Sequence, residues 1–326
     1  MLARKLTPFL LVGASGLAWG SGGDCSLGPA SVSFASEKEA RAILGTEDGF
    51  IRALSSFDRA ARLKSAKPVD SATFLRSVAA QALPWTDEEV QSTRTRVCEV
   101  AQRLKAKKWK LGLPHAVTLV KAVADAEAGA PHTRGAAIVL PGGAAQVTPK
   151  LLAHELFHVL SRELGRAHPS QRDALYQLVG FVPLGAPLTI PALYKERVIT
   201  NPDSYELSHF VKVSAGGREV TAVPFLFATP GSYDAQKGGA FFEYLTFKLL
   251  VVRRDGARWV AEEDPALLLE PTQTSYLKLV GRNTQEVFDA DEVLADNFAL
   301  ALGYTEGTPV PDPELPARLD ALLRSW

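Results

Sequence analysis

Two histidines and a glutamate interrupt an otherwise apolar run, LLAHELFHVLSREL, from Leu151 to Leu164. Thr148 can cap a helix here, Pro149 suits its first position, and no glycine intervenes before Gly165, so the pattern predicts a helix from about Pro149 to Leu164. Leu151, Leu152, Leu156, Phe157, Val159, Leu160 and Leu164 point in nearly every direction around it. A helix apolar all round is enclosed by protein. His154 and His158 are therefore expected to be buried, and their spacing of four puts both rings on one face, where their nitrogens can converge on a single point. Glu155 leans over the same edge.

This is the His-Glu-x-x-His arrangement, in which both imidazoles ligate zinc and the glutamate, turned too far round the helix to ligate well, handles the proton of the attacking water. The bland alternative is a pair of core histidines satisfied by hydrogen bonds, with Glu155 snorkelling. A third protein ligand separates the two, because catalytic zinc usually takes three and leaves one position open. A metzincin third histidine is excluded, since Ser161 and Leu164 stand where glycine and histidine would be required. The better source is DEVLADNFALAL, Asp291 to Leu302, whose Leu294, Phe298 and Leu302 repeat every four residues behind an acidic start. Glu292 and Asp296 share one face there, and a ligand carboxylate followed by a second carboxylate one turn later supplies both a metal bond and a hydrogen bond that fixes a ligating imidazole. The competing reading of that pair is a solvated acidic helix face.

With His154, Glu155 and His158 followed by Glu292 and Asp296, the chain resembles the gluzincin, or thermolysin-like, metallopeptidases, whose pattern is His-Glu-x-x-His and then Glu-x-x-x-Asp on a second helix. GRNTQEVFDADEVLADNF, Gly281 to Phe298, is also similar to the ligand helix of uncharacterised zincin-like proteins, in which a His-Pro-Glu-Glu start is typical; Asp289, Ala290, Asp291 and Glu292 stand in that region here. The resemblance implies zinc held by His154, His158 and Glu292, with Glu155 as base and Asp296 orienting His154. It covers mainly two helices. The interval from His158 to Glu292, 292 − 158 = 134 residues, is far longer than in the simplest members of the family.

Composition sets outer limits. A chain of 326 residues, 46% hydrophobic and 22% charged, can bury one or two cores. Its 36 basic and 36 acidic residues cancel, and no basic patch is interleaved with aromatics, so nothing points to nucleic acid as a partner. No apolar segment after the N-terminus reaches transmembrane length. Arg4 and Lys5, an apolar stretch from Pro8 to Trp19 and small residues up to Gly20 read as an export signal over residues 1–20, with Gly22 as a second cleavage point. The 2 cysteines, Cys25 and Cys98, form either one disulfide in an oxidising compartment or two unrelated thiols. Lipid attachment at Cys25 is a further option, disfavoured by the Gly22, Gly23 and Asp24 that precede it.

The expected fold is α+β and zincin-like. Residues 36–110, broken by Gly45, Pro68 and Pro84, suggest four helices, the clearest capped by Thr86. Residues 111–326 would form the catalytic domain: strands at Ala116–Val123 and Ala136–Pro141, the two ligand helices, a β-rich insertion at about 200–280, and a final helix beyond Pro309, Pro311, Pro313 and Pro316. The gluzincin resemblance implies that the strand before the first ligand helix rims the cleft and offers its edge to an extended peptide, the equal alternative being a strand fully paired inside its own sheet; the inserted hairpins are expected to wall the cleft.

The function that follows is exported, zinc-dependent hydrolysis of a peptide or protein substrate. Tyr244, Tyr276, His209 and Arg282 are candidates for a further donor to the oxyanion, but for each a structural role is the better reading: Tyr244 and Tyr276 as half-buried strand or core aromatics, His209 and Arg282 as surface groups. The rival is a non-catalytic cell-envelope binding protein with a structural zinc site, against which the intact Glu155 speaks, because a structural site needs no base.

Overall fold

The computed structural model describes residues 25–262 and 267–326. The export-signal reading of residues 1–20 lies outside them. Five helices, not four, open the chain: α1 (Glu37–Leu44), α2 (Gly49–Ala53), α3 (Ser56–Arg62), α4 (Ser71–Ala79) and α5 (Asp87–Lys107). The additional break falls at Ser55, whose hydroxyl accepts the Asp58 N–H and starts α3 afresh. Thr86 caps α5 in a full capping box with Glu89, as its sequence predicts.

A first sheet has strand order β1 (Ser31–Phe34), β3 (Ala116–Ala122), β5 (Ala137–Pro141), β4 (His132–Arg134), with β2 (Ala82–Leu83) paired to β3. β1, β3 and β5 run parallel and β4 antiparallel to β5. This decides between the two readings of that strand: β5 is paired on both sides, not a free rim, and the edge belongs to β4. Part of that edge is already taken. Asp203 accepts the Thr133 N–H and hydroxyl at 2.7 and 2.6 Å, and Arg162 donates to the Gly135 carbonyl at 3.2 Å.

The sheet leads into α6 (Pro149–Ala167), capped by Thr148 and three residues longer than predicted, and then into α7 (Pro169–Gln177) and α8 (Ala192–Lys195). Gly165 does not end α6, because a helical glycine costs only about 1 kcal/mol. Its missing side chain makes room for Arg172, since a Cβ there would lie 2.4 Å from Nη1.

The β-rich insertion forms a second sheet and starts earlier than 200. Its order is β6 (Val182–Pro183), β8 (His209–Ala215), β9 (Arg218–Ala228), β10 (Leu245–Asp255), β11 (Arg258–Ala261), β7 (Leu188–Thr189), with β12 (Leu268–Leu269) on β10. β8 to β11 form an antiparallel meander, turning at Gly216 and Gly217 (φ 55° and 80°) and at Gly256 (φ 57°), backbone that glycine adopts without strain. After α9 (Tyr276–Val280) come α10 (Ala290–Ala301) and the final helix, α11 (Glu314–Arg324), which starts before Pro316, not beyond it as expected, and takes that proline into its first turn, where no N–H partner is required.

α6 and α10 pack directly on one another in the main core. Phe298 of α10 lies 5.6 Å from the Phe157 ring and 5.2 Å from that of Trp109, and Leu156, Leu160, Val293 and Leu294 are buried around them. Truncating such an aromatic to alanine costs about 3–5 kcal/mol, so the two helices are held firmly at the height of the polar residues they share. A disulfide joins Cys25 to Cys98 of α5, so the Cys25 sulfur is not available to a lipid and the anchoring alternative is set aside. Among the described residues, no helix is long and apolar enough to cross a membrane.

Candidate metal centre

α6 presents His154 and His158 from one face, and α10 brings Glu292 and Asp296 against them. The two Nε2 atoms are 3.0 Å apart, and Oε2 of Glu292 lies 3.1 Å from that of His154 and 3.4 Å from that of His158. Ligand atoms of all three side chains fall within 4.8 Å of one another, a group that could hold a metal ion. On the other side of His154, Oδ1 of Asp296 lies 3.1 Å from Nδ1. Of the five positions singled out in the sequence, His154, His158 and Glu292 therefore converge, Asp296 sits on the outer nitrogen of His154, and Glu155 lies beside His158; His158, Glu155 and Glu292 are buried. Asp289 and Asp291 do not join the group. Asp289 caps α10 by accepting the Glu292 N–H at 2.9 Å, and Asp291 lies behind, 3.6 Å from Nδ1 of His158.

Electrostatics follow from burial and crowding. Burial disfavours the charged His154 ring, but hydrogen bonds to Asp296 and Glu292 outweigh it and push the pKa up to about 10. His158, also penalised by burial, is raised well above its ordinary value by the charges of Glu292 and Asp203. Burial penalises the charged form of Glu292 too, but the charge of His158 and the hydrogen bonds of both histidines hold it well below the usual carboxylate range. Glu155 moves the other way: burial, and then the charge of Asp203, push it up to about 8. Its Oε2 is buried without a hydrogen-bond partner.

A cleft of about 680 Å³ opens onto His154 and Glu155. Ala130 and Pro131, at the start of the β4 edge, line one part of it; Leu226, Phe241, Phe242 and Leu245 make an apolar wall, as expected of the inserted hairpins. The oxyanion candidates fare poorly. Tyr244 donates to the Gly238 carbonyl at 2.6 Å, and the fully buried Tyr276 donates to that of Val287. His209 lies between Asp173 and Ser208 and lines a separate cavity of about 580 Å³. Only Arg282 lines the cleft, and its guanidinium pairs with Asp312.

Three residues of the site carried no sequence signal. Asn201 and Asp203 come from the loop of residues 196–208 ahead of β8, and Asp203 groups with Glu155 and His158 within the same 4.8 Å limit. Glu286 groups with His154 and Asp296 from the approach to α10. None sits at ligand spacing from another, so only the fold brings them in. No family model, curated protein or solved structure matches the chain.

Proposed function

We propose that the chain is a zinc-dependent metallopeptidase of zincin-like architecture, with His154, His158 and Glu292 as ligands and Glu155 as general base. The observation that carries this reading is the convergence of two imidazole nitrogens and one carboxylate oxygen, with Asp296 on the outer nitrogen of His154. The donor set fits the metal: nitrogen and oxygen in the number a catalytic site uses, on packed helices, beside a cleft. Zinc bound there supplies Lewis acidity toward water and toward a carbonyl oxygen.

The chain's own groups supply the rest. Glu155, buried beside His158 but outside the ligand group, lines the cleft and keeps Oε2 free of hydrogen bonds, so that it can take a proton from the attacking water and pass it to the leaving amine. Asp296 fixes the His154 ring and its tautomer. The apolar wall of Phe241, Phe242 and Leu245 and the Ala130–Pro131 segment give an extended peptide two sides to lie between. The Cys25–Cys98 disulfide supports an exported setting.

Metal analysis of the purified chain, paired with cleavage of a broad peptide library, tests the proposal. One zinc per chain and cleavage are expected of the wild type, and Glu155→Gln should keep the zinc while abolishing hydrolysis. A wild type without zinc, or a Glu155→Gln variant that still cleaves at the wild-type rate, would refute it.

A further inference from the structure

The loop of residues 196–208 carries no metal-binding pattern, yet it reaches the ligand carboxylate. Nδ2 of Asn201 donates to Oε1 of Glu292 at 2.7 Å and to Oδ2 of Asp289 at 3.2 Å. Both contacts are to acidic groups, and the amide's orientation is fixed by its other end, because Oδ1 accepts the Asp203 N–H at 3.0 Å. A flipped amide would aim its oxygen at two carboxylates and lose that bond. With Oε1 of Glu292 held in this way, Oε2 is the oxygen that faces the two histidines.

The loop is itself clamped. Thr200 donates its N–H to Asp58 at 2.9 Å, and Arg62 donates to the Thr200 carbonyl at 2.7 Å; Ser55 donates to the Val198 carbonyl at 2.7 Å. Asp58 and Arg62 are buried and paired with each other, and Arg62 also pairs with Glu127 at 2.8 Å. On the far side Asp203 is bound to Thr133 of β4. A loop pinned on both sides by buried polar groups is a fixed wall, because moving it would leave those buried groups without their hydrogen-bond partners.

We propose that Asn201 is a positioning residue of the metal centre, whose amide holds the outer oxygen of Glu292 so that the carboxylate offers a single oxygen to the cation, and that α3, through Asp58 and Arg62, holds Asn201 in place. This inference rests on the reading of His154, His158 and Glu292 as zinc ligands. The choice of side chain fits the task. A lysine or arginine there would form an ion pair and neutralise the ligand, whereas a neutral amide satisfies the outer oxygen and leaves the charge for the metal.

The test compares the wild type with Asn201→Ala and with the isosteric Asn201→Asp, which keeps the shape but replaces the donor. Zinc affinity is read by competition with a chromogenic chelator, and ligand geometry by the visible spectrum of the cobalt-substituted chain. His154→Ala serves as the control for the ligand set. Both Asn201 variants should bind zinc about 10- to 100-fold more weakly and shift the cobalt bands. If Asn201→Ala does not fold, Asn201→Asp decides on the same two readouts. Wild-type binding with variant affinities within about threefold and unchanged spectra sinks this inference alone. A wild type that binds neither zinc nor cobalt sinks the ligand assignment and this inference with it.

Discussion

Breaking the disulfide has a calculable consequence. Cys25 and Cys98 are 73 residues apart in sequence, and the closed loop between them holds β1, the first four helices and the start of α5. In the chain-entropy picture, a link across n residues removes about 2.1 + 1.5R ln n cal/mol/K from the unfolded ensemble, which for this loop is about 15 cal/mol/K, or about 4.4 kcal/mol at 25 °C. That is a large part of the 5–15 kcal/mol typical of a whole domain. The double variant Cys25→Ser, Cys98→Ser should therefore unfold at a lower urea concentration. With a slope of about 3 kcal/mol per molar, the midpoint should fall by about 1.5 M at unchanged slope, followed by tryptophan fluorescence. A shift below about 0.3 M would show that the link does not constrain the unfolded chain as reasoned. Two free thiols per denatured, unreduced wild-type chain would remove the premise.

Under the proposed ligand set, Glu292→Ala should strip most of the zinc from the purified chain; stoichiometric zinc by metal analysis would move the third ligand elsewhere. Asp296→Ala should weaken zinc affinity about 10- to 100-fold in a chelator competition, while Asp296→Asn, whose amide oxygen can still accept from His154, does less harm; an unchanged affinity in Asp296→Ala would reduce its hydrogen bond to coincidence. The pKa of His154, which burial lowers but Asp296 and Glu292 raise to about 10, sets a pH dependence. Because that value is above the unfolded one of about 6.5, the proton stabilises the metal-free fold fully below pH about 6.5 and that stabilisation is lost as pH rises toward 10. Over the same window zinc displaces the proton, so calorimetry at pH 7.5 in buffers of different ionisation enthalpy should show proton release and an affinity that rises with pH; buffer-independent heats would contradict it.

The convergence of His154, His158 and Glu292 was legible because these residues are written at helical spacing. His154, Glu155 and His158 lie within one turn of α6, and Glu292 and Asp296 are one turn apart on α10, so a local periodicity carries most of the site. The apolar sides of the same helices gave their burial. What could not be read is what tertiary contact supplies. Asn201 and Asp203 sit in a turn-rich loop, and their partners Glu292 and Thr133 are 91 and 70 residues away. β4 is three residues long and β1 four, too short for alternation to announce them, so nothing local marks β4 as the sheet edge. Tyr244, Tyr276 and His209 were named as oxyanion donors by residue type alone, and each proves to be tied to a group outside the cleft. The break between α2 and α3 was missed because a capping serine restarts a helix without any glycine or proline to mark it.

The clamp at Asn201 also bears on the order in which the molecule is assembled. His154 and His158 are neighbours on one helix, but the contacts that complete their surroundings span 138 residues to Glu292 and 142 between Asp58 and Thr200. Native contacts this distant along the chain form late, because the entropy of closing long loops must be met before they contribute. A partly made chain can offer a cation at most the two imidazoles. The full three-donor set exists only once the N-terminal helices, the hairpin insertion and α10 have docked together, so capture of the metal is expected to report completed folding rather than to drive it.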